Sequence, residues 1–215
     1  QFMKVLFNDG KGPNGPVIKK ETLQLMLTSQ FNDGKDQRHN VGFGIGFYLS
    51  EQGGYKRVGH GGAVYGFSTQ LYALPEVNLG VAVASSVDVT NTITRRVAAY
   101  ALDCLLAVEN GKPLPNYEET NSVNEKTVSL LAGHFVSDNG KRLKLINKYG
   151  TLYMENDRYQ TRIRQLNGRL VTDSRISYGS PIDYDEDGRS VTMGGTVYNR
   201  EKYLMYRVCF LGKFL

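Results

Sequence analysis

His60, Gly61, Gly62 and Ala63 stand side by side in a stretch that otherwise reads as strand, with Gly59 before them and Gly66 shortly after. Adjacent glycines within a strand mark a place where something comes close to the backbone, because a side chain there would collide with it. An imidazole at the edge of such a gap supplies a group that can donate, accept or carry charge near neutral pH. This combination suits a ligand or a reaction, whereas a purely structural reading has His60 closing a strand end or bonding a neighbouring carbonyl. The other candidate groups are more dispersed. His39 follows Arg38 in a polar stretch, and His134 opens a run of strands. Cys104 falls on an apolar helical stripe, which predicts a buried thiol, and Cys209 is far from it in sequence. No histidine or cysteine has ligand spacing to a carboxylate, so no metal is expected. The acidic run Asp183, Asp185, Glu186 and Asp187 lacks a calcium-loop spacing and reads as a solvated hairpin. No cofactor motif is present, and no cofactor is expected.

The elements that hold the His60 stretch follow from periodicity and turn signals. Residues 1–8 read as the end of a helix, closed by Asn8, Asp9 and Gly10, and residues 21–30 as a second short helix. Residues 31–40 are polar and loop-like. Four strands are predicted at 41–50, 56–61, 66–74 and 80–86, with Pro75 to Asn78 turning between the last two. The last is almost continuously apolar, as in a central strand covered on both faces. Thr90 or Asn91 can cap a helix running to about Glu109, with Ile93, Val97, Tyr100, Ala101, Cys104 and Val108 as its apolar stripe.

Residues 111–127 are rich in Pro, Asn, Glu, Ser and Thr, a linker composition. They separate a first domain, 1–110, from a second, 128–215. In the second, turn dipeptides such as Asn139-Gly140, Tyr149-Gly150, Asn156-Asp157 and Asn167-Gly168 recur about every ten residues, with no helical pattern of any length. That spacing predicts a small antiparallel barrel of seven or eight strands. The net charge of +5 comes from scattered lysines and arginines without a reading motif, so nucleic acid is not an expected partner. No apolar run is long enough to span a membrane. The chain opens Gln1-Phe2-Met3 with helical spacing already under way, which predicts that it starts inside a helix.

Five motifs occur in order along the first domain: Gly42-Phe43-Gly44-Ile45-Gly46-Phe47, Gly59-His60-Gly61-Gly62, Gly66-Phe67-Ser68, Leu74-Pro75-Glu76 and Gly80-Val81-Ala82-Val83-Ala84. Their succession resembles the C-terminal part of the transpeptidase-like domain of serine β-lactamases, penicillin-binding proteins and related esterases and D-peptidases, over about residues 1–110. The resemblance implies an α+β fold, an antiparallel sheet with flanking helices. It also implies that His60-Gly61-Gly62 is the third motif of the family, in its His-x-Gly form, on an edge strand lining the acyl site. Ala63 would then offer its backbone N–H to the oxyanion hole, His60 would donate to or orient the substrate, and Gly61 and Gly62 would leave room for the acyl chain. The second domain is similar to the lipocalin-like barrel appended to such hydrolases, on Leu131 to Phe135 and Gly150 to Tyr153.

The first two motifs of that family are absent. No Ser is followed three positions later by Lys, and Tyr-x-Asn does not occur. Ser137-Asp138-Asn139 and Ser122-Val123-Asn124 spell the second motif in the wrong order along the chain and read as a turn and a linker. The resemblance therefore implies a chain that lacks its own nucleophile, the C-terminal portion of a hydrolase acting on a small-molecule or peptide substrate, periplasmic or secreted. The partner would be the missing N-terminal half, and sheet edges left open without it would permit dimerisation or strand exchange. The rival expectation is a non-catalytic module whose barrel binds a small apolar ligand or a peptide.

Overall fold

The computed structural model describes residues 1–30, 41–155 and 159–201. His39, Cys209, the 31–40 loop and the Asn156-Asp157 turn lie outside them. The chain divides into two compact units, Gln1–Glu118 and Glu119–Leu215.

The first unit opens with helix α1, Phe2–Phe7, the small hairpin β1 (Lys11–Gly12) and β2 (Gly15–Pro16), and helix α2, Lys20–Met26. A five-stranded sheet follows: β3 (Gly42–Phe43), β4 (Tyr48–Gln52), β5 (Tyr55–Val64), β6 (Phe67–Leu74) and β7 (Leu79–Ser85). They lie in chain order, each antiparallel to the next. Helix α3, Asn91–Glu109, completes the unit. Alternation along β6 explains the layering. Ala73 packs with Leu6, Leu23, Leu49 and Val58 beneath α1 and α2, while Tyr72 and Leu74 pack with Ala98, Leu102 and Leu106 of α3. The two faces of one strand are thus buried in separate cores.

Three sequence expectations need correction here. The predicted strand 41–50 is two strands, because Gly44 lies where a side chain would come within 2.1 Å of the Met26 carbonyl and Gly46 takes φ +78°. The run Leu79–Ser85 is an edge strand rather than a central one, and among the described residues it pairs with β6 alone. Its cover comes from α3 behind Val81 and Val83 and from Met3 and Phe7 of α1 at Gly80, while Ala82 and Ala84 on the α1 side are exposed. The strand is therefore covered along one face and only at its start on the other. The third correction concerns the phase of α3. Its buried stripe is Thr94, Ala98, Leu102 and Leu106, whereas Ile93, Val97 and Val108 of the predicted stripe are 42%, 48% and 67% exposed. Both sets recur every three or four residues, so spacing could not choose between them. Ala98 settles it, being small enough to sit flat against the sheet. Cys104 is accordingly half-buried rather than enclosed.

The second unit is a closed eight-stranded barrel. Its strands are β8 (Gly133–Val136), β9 (Arg142–Lys148), β10 (Thr151–Glu155), β11 (Gln160–Leu166), β12 (Arg169–Asp173), β13 (Tyr178–Tyr184), β14 (Ser190–Met193) and β15 (Thr196–Arg200), with β15 closing onto β8. Closure leaves the sheet without an edge. A seven-residue helix, α4, Glu125–Leu131, precedes it where linker and then strand were expected. Asn124 caps α4, its Oδ1 accepting from the Thr127 N–H at 2.8 Å. Val128 and Leu131 then join Phe135, Leu145, Leu152, Ile163, Ile182 and Val191 in one core that fills the barrel. Arg200 fastens this helix. Its guanidinium donates to the carbonyls of Leu130 (2.5 Å), Ala132 (3.0 Å) and Gly188 (2.8 Å) and lies 4.6 Å from the centre of the Phe135 ring. A cation at a helix C-terminus complements the unpaired carbonyls there.

The stretch between α3 and α4 is anchored at both ends. Tyr100 donates its hydroxyl to the Pro115 carbonyl at 2.8 Å. Asn121 exchanges two backbone hydrogen bonds with Gln165, at 2.7 and 2.9 Å, and Thr120 accepts from Arg164 at 2.9 Å.

On the barrel surface, Glu155 is held below the ordinary carboxylate range, first by its bond with Lys144 and then by one from Gln160. A depressed carboxylate contributes stability above its unfolded value and loses it as pH falls through the folded one. Lys144→Met should therefore raise the Glu155 midpoint towards an ordinary glutamate, as read by NMR titration. An unmoved midpoint would show that Lys144 is not its main partner.

Candidate functional site on strand β5

Two tight turns fix which way the backbone of β5 faces. Gly53 and Gly54, at φ +60° and +84°, close a two-residue hairpin on the pair Gln52–Tyr55. Tyr65 and Gly66 close another on Val64–Phe67. Residues flanking such a turn face each other, and backbone direction then alternates along the strand. Both turns give the same phase. Odd-numbered residues of β5 direct N–H and C=O towards β4, and even-numbered ones towards β6. The Lys56 N–H agrees, since it reaches Glu76 beyond the end of β6, at 3.3 Å.

Strand β4 pairs with β5 only as far as Tyr48–Gly59. Beyond that point β5 continues for five residues, paired with β6 on one side. Among the described residues no strand pairs with its other side. The N–H and C=O groups of Gly61 and Ala63 therefore form a short open edge, although β5 itself is the middle strand of the sheet. The family motif was expected on an edge strand. What the structure has is an interior strand with one half exposed as an edge, because β4 starts late.

The glycines have more than one cause. A Cβ at Gly59 would lie 2.4 Å from the Leu71 carbonyl and 2.5 Å from the Tyr72 ring, so packing demands glycine there. At Gly61 and Gly62 the obstacles are only the tips of Gln70 (2.9 Å) and Thr69 (2.6 Å), which can turn away. Sequence alone could not separate these two situations.

Strand alternation also divides the predicted residues. Gly61, Gly62 and Ala63 line an open pocket of about 510 Å³ together with Tyr48, Gln70, Tyr72, Asn91 and two arginines, Arg57 and Arg95. His60 is absent from this lining. Its even-numbered position starts the side chain from the face opposite Gly61 and Ala63. It is exposed, however, and its ring lies 5.6 Å from that of Tyr48, a lining residue, so it stands at the margin of the pocket. Neither arginine carries a local signal of a site in the sequence, although Arg57 shares the parity of Gly61 and Ala63 on β5. Arg57 lies 4.1 Å from the centre of the Tyr72 ring and donates to Ser50 Oγ at 2.9 Å and to Gln52 Oε1 at 2.8 Å, so its position is well defined.

The start of α3 ties the pocket wall together. Asn91 Nδ2 donates to the Gly62 carbonyl at 2.9 Å. Ser68 Oγ accepts from the Thr90 N–H at 3.1 Å, and the Asp88 carboxylate accepts from the Gly66 N–H in the turn. The second unit has an open pocket of about 550 Å³ lined by His134, Arg142, Lys144, Glu155 and Glu201, outside the segment in which the motifs lie. Ser137, Asp138 and Asn139 make the turn between β8 and β9, with Ser137 Oγ 2.7 Å from Asn139 Oδ1. Asp183 pairs with Arg169 and Asp187 with Arg189, each at 2.9 Å. Among the described residues, no three His, Cys, Asp or Glu side chains converge as metal ligands would. No described helix is long and apolar enough to cross a membrane.

A model of the Beta-lactamase family matches residues 1–105. The first unit is a β-lactamase-like fold segment, and a closed barrel follows it. No curated protein matches the chain. Among solved structures, it is similar to an octameric penicillin-binding protein homologue from Pyrococcus abyssi, at 19% identity and a TM-score of 0.43 over 92% of this chain and 44% of that one. It is also similar to SurE with D-Leu, at 16% identity and a TM-score of 0.34 over 86% of this chain and 44% of that one. The chain thus spans less than half the length of these structures.

Proposed function

We propose that β5 forms one wall of an acyl-transfer site in a β-lactamase-related serine hydrolase, with residues 1–110 a part of the catalytic domain and 128–215 an accessory barrel. The observation that carries this reading is the open edge at Gly61 and Ala63, beside a pocket, within the segment that matches the family. The Ala63 N–H would bind the oxygen of the tetrahedral intermediate, and the Gly61 and Gly62 backbone would receive the acyl part of the substrate. His60, at the margin of the pocket, would act at the mouth of the site or by orienting its neighbours. Arg57 and Arg95 supply the positive charge that a histidine in the third motif does not hold fixed at neutral pH, and so favour a substrate with an anionic group. We favour a D-peptidase or esterase, in a periplasmic or secreted setting, over an efficient β-lactamase.

The nucleophile would come from residues outside this sequence, since no Ser-x-x-Lys occurs in it. The test is labelling with a fluorescent penicillin and a fluorophosphonate. The chain alone is expected to take up neither, and the protein with its upstream coding sequence restored should take up at least one. Failure of both reagents on the restored protein would overturn the proposal.

The alternative, a barrel that holds an apolar ligand, needs a hollow interior. Phe135, Leu145, Leu152, Ile163 and Val191, each at most 1% exposed, occupy that space together with the α4 side chains. The filled core favours the hydrolase reading.

A further inference from the structure

Behind the sheet, on the face away from α3, Lys56 lies in a second pocket, of about 400 Å³. Leu6, Phe7, Leu23, Leu27 and Val58 supply its apolar walls, and Asp9 and Glu76 stand at it as well. The amine donates a hydrogen bond to the Leu27 carbonyl, at the C-cap of α2. Among the described residues, the acidic groups lining the pocket are Asp9 and Glu76. Asp9, at the end of α1, is engaged by Lys20 at 2.7 Å, and Glu76 accepts the Lys56 backbone N–H. Burial lowers the affinity of the Lys56 amine for its proton, with the Glu76 carboxylate opposing the shift.

We propose that Lys56 is a site of covalent acylation, taking an aliphatic acyl group from a thioester into the pocket behind β5. The ammonium first gives its proton to solvent. The nitrogen lone pair then attacks the thioester carbonyl, a C–N bond forms, the C–S bond breaks, and the departing thiolate takes up a proton. Lysine and thioester become amide and thiol, with no oxidant or reductant. Two features of the site favour the product. The amide keeps an N–H that can still donate to the Leu27 carbonyl, so α2 retains its partner. The amide is also uncharged, so the desolvation that disfavours the ammonium disappears. The acyl chain can cover the partly exposed Phe7 and Leu27, the remaining walls Leu6, Leu23 and Val58 being already buried. An imine would lose the donor, which is why an acyl rather than an aldehyde carbonyl suits this geometry.

The experiment treats the full chain with S-hexanoyl-N-acetylcysteamine and, separately, with S-acetyl-N-acetylcysteamine, following each lysine by peptide mass spectrometry. Lys19 and Lys112, both exposed, serve as references. Lys56 is expected to hexanoylate several-fold faster than either, because burial leaves more of its amine unprotonated. It should also prefer hexanoyl to acetyl relative to the references. Glu76→Gln, which removes the carboxylate that favours the ammonium, should raise the Lys56 rate near neutral pH. A Lys56 rate no greater than that of Lys19 and Lys112, or the same chain-length preference at all three, would overturn the proposal.

Discussion

Ala63→Pro should abolish most of the acyl transfer of the restored protein while leaving its fold intact. Proline lacks the N–H, and at position 63 that group points to the open edge of β5, so no ladder hydrogen bond is lost. Stability is expected to change by about 1 kcal/mol or less. Acylation by a fluorescent penicillin should fall by about 10²–10³-fold, the usual effect of deleting one oxyanion donor. Gly62→Pro is the control with the opposite signature. Its N–H faces β6 at Thr69, so the substitution breaks a ladder bond and leaves a carbonyl unpaired, at a cost of about 1–3 kcal/mol. Stopped-flow labelling and thermal melts of the two variants would separate the roles. An Ala63→Pro protein that melts normally and acylates at the full rate would remove Ala63 from the oxyanion site.

The largest stability effect is expected in the barrel. Phe135 is fully buried, contacts the core that unites α4 with the strands, and carries the Arg200 guanidinium on its ring. Phe135→Ala should cost about 3–5 kcal/mol, because the surrounding strands are closed on themselves and cannot collapse into the space. Arg200 would lose the ring beneath it, and the end of α4 would loosen with it. Urea unfolding followed by tyrosine fluorescence and by circular dichroism would measure the cost. A loss below about 1 kcal/mol would show that the barrel repacks freely, contrary to a core this densely filled.

Some of this was legible in the residues and some was not, for definable reasons. The Pro75 to Asn78 turn has a local cause, and β6 and β7 lie within a residue of the runs expected from sequence, whereas β5 continues three residues past the expected end at Gly61, to Val64. The barrel was readable from turns at regular intervals. The short helix α4 was not, because its pattern is seven residues long and its two inward side chains find their partners on strands far along the chain. The stripe of α3 was misread because Ile93 and Val97 are as apolar as the residues that face the sheet. Local periodicity gives the spacing of a stripe but not its direction.

The candidate site divides along the same line. Sequence by itself determined that His60, Gly61, Gly62 and Ala63 are neighbours in a strand-like stretch, with another strand after Gly66, and that no Ser-x-x-Lys accompanies it. Those are properties of neighbours along the chain. Only the tertiary structure decided that β4 begins at Tyr48, opposite Gly59, that no described strand pairs with Gly61 and Ala63 on that side, that His60 stands at the margin of the pocket, and that Arg57 and Arg95 line it beside the glycines. Each of these depends on register between strands or on where α3 lands, and register is fixed by the burial of side chains far apart in sequence.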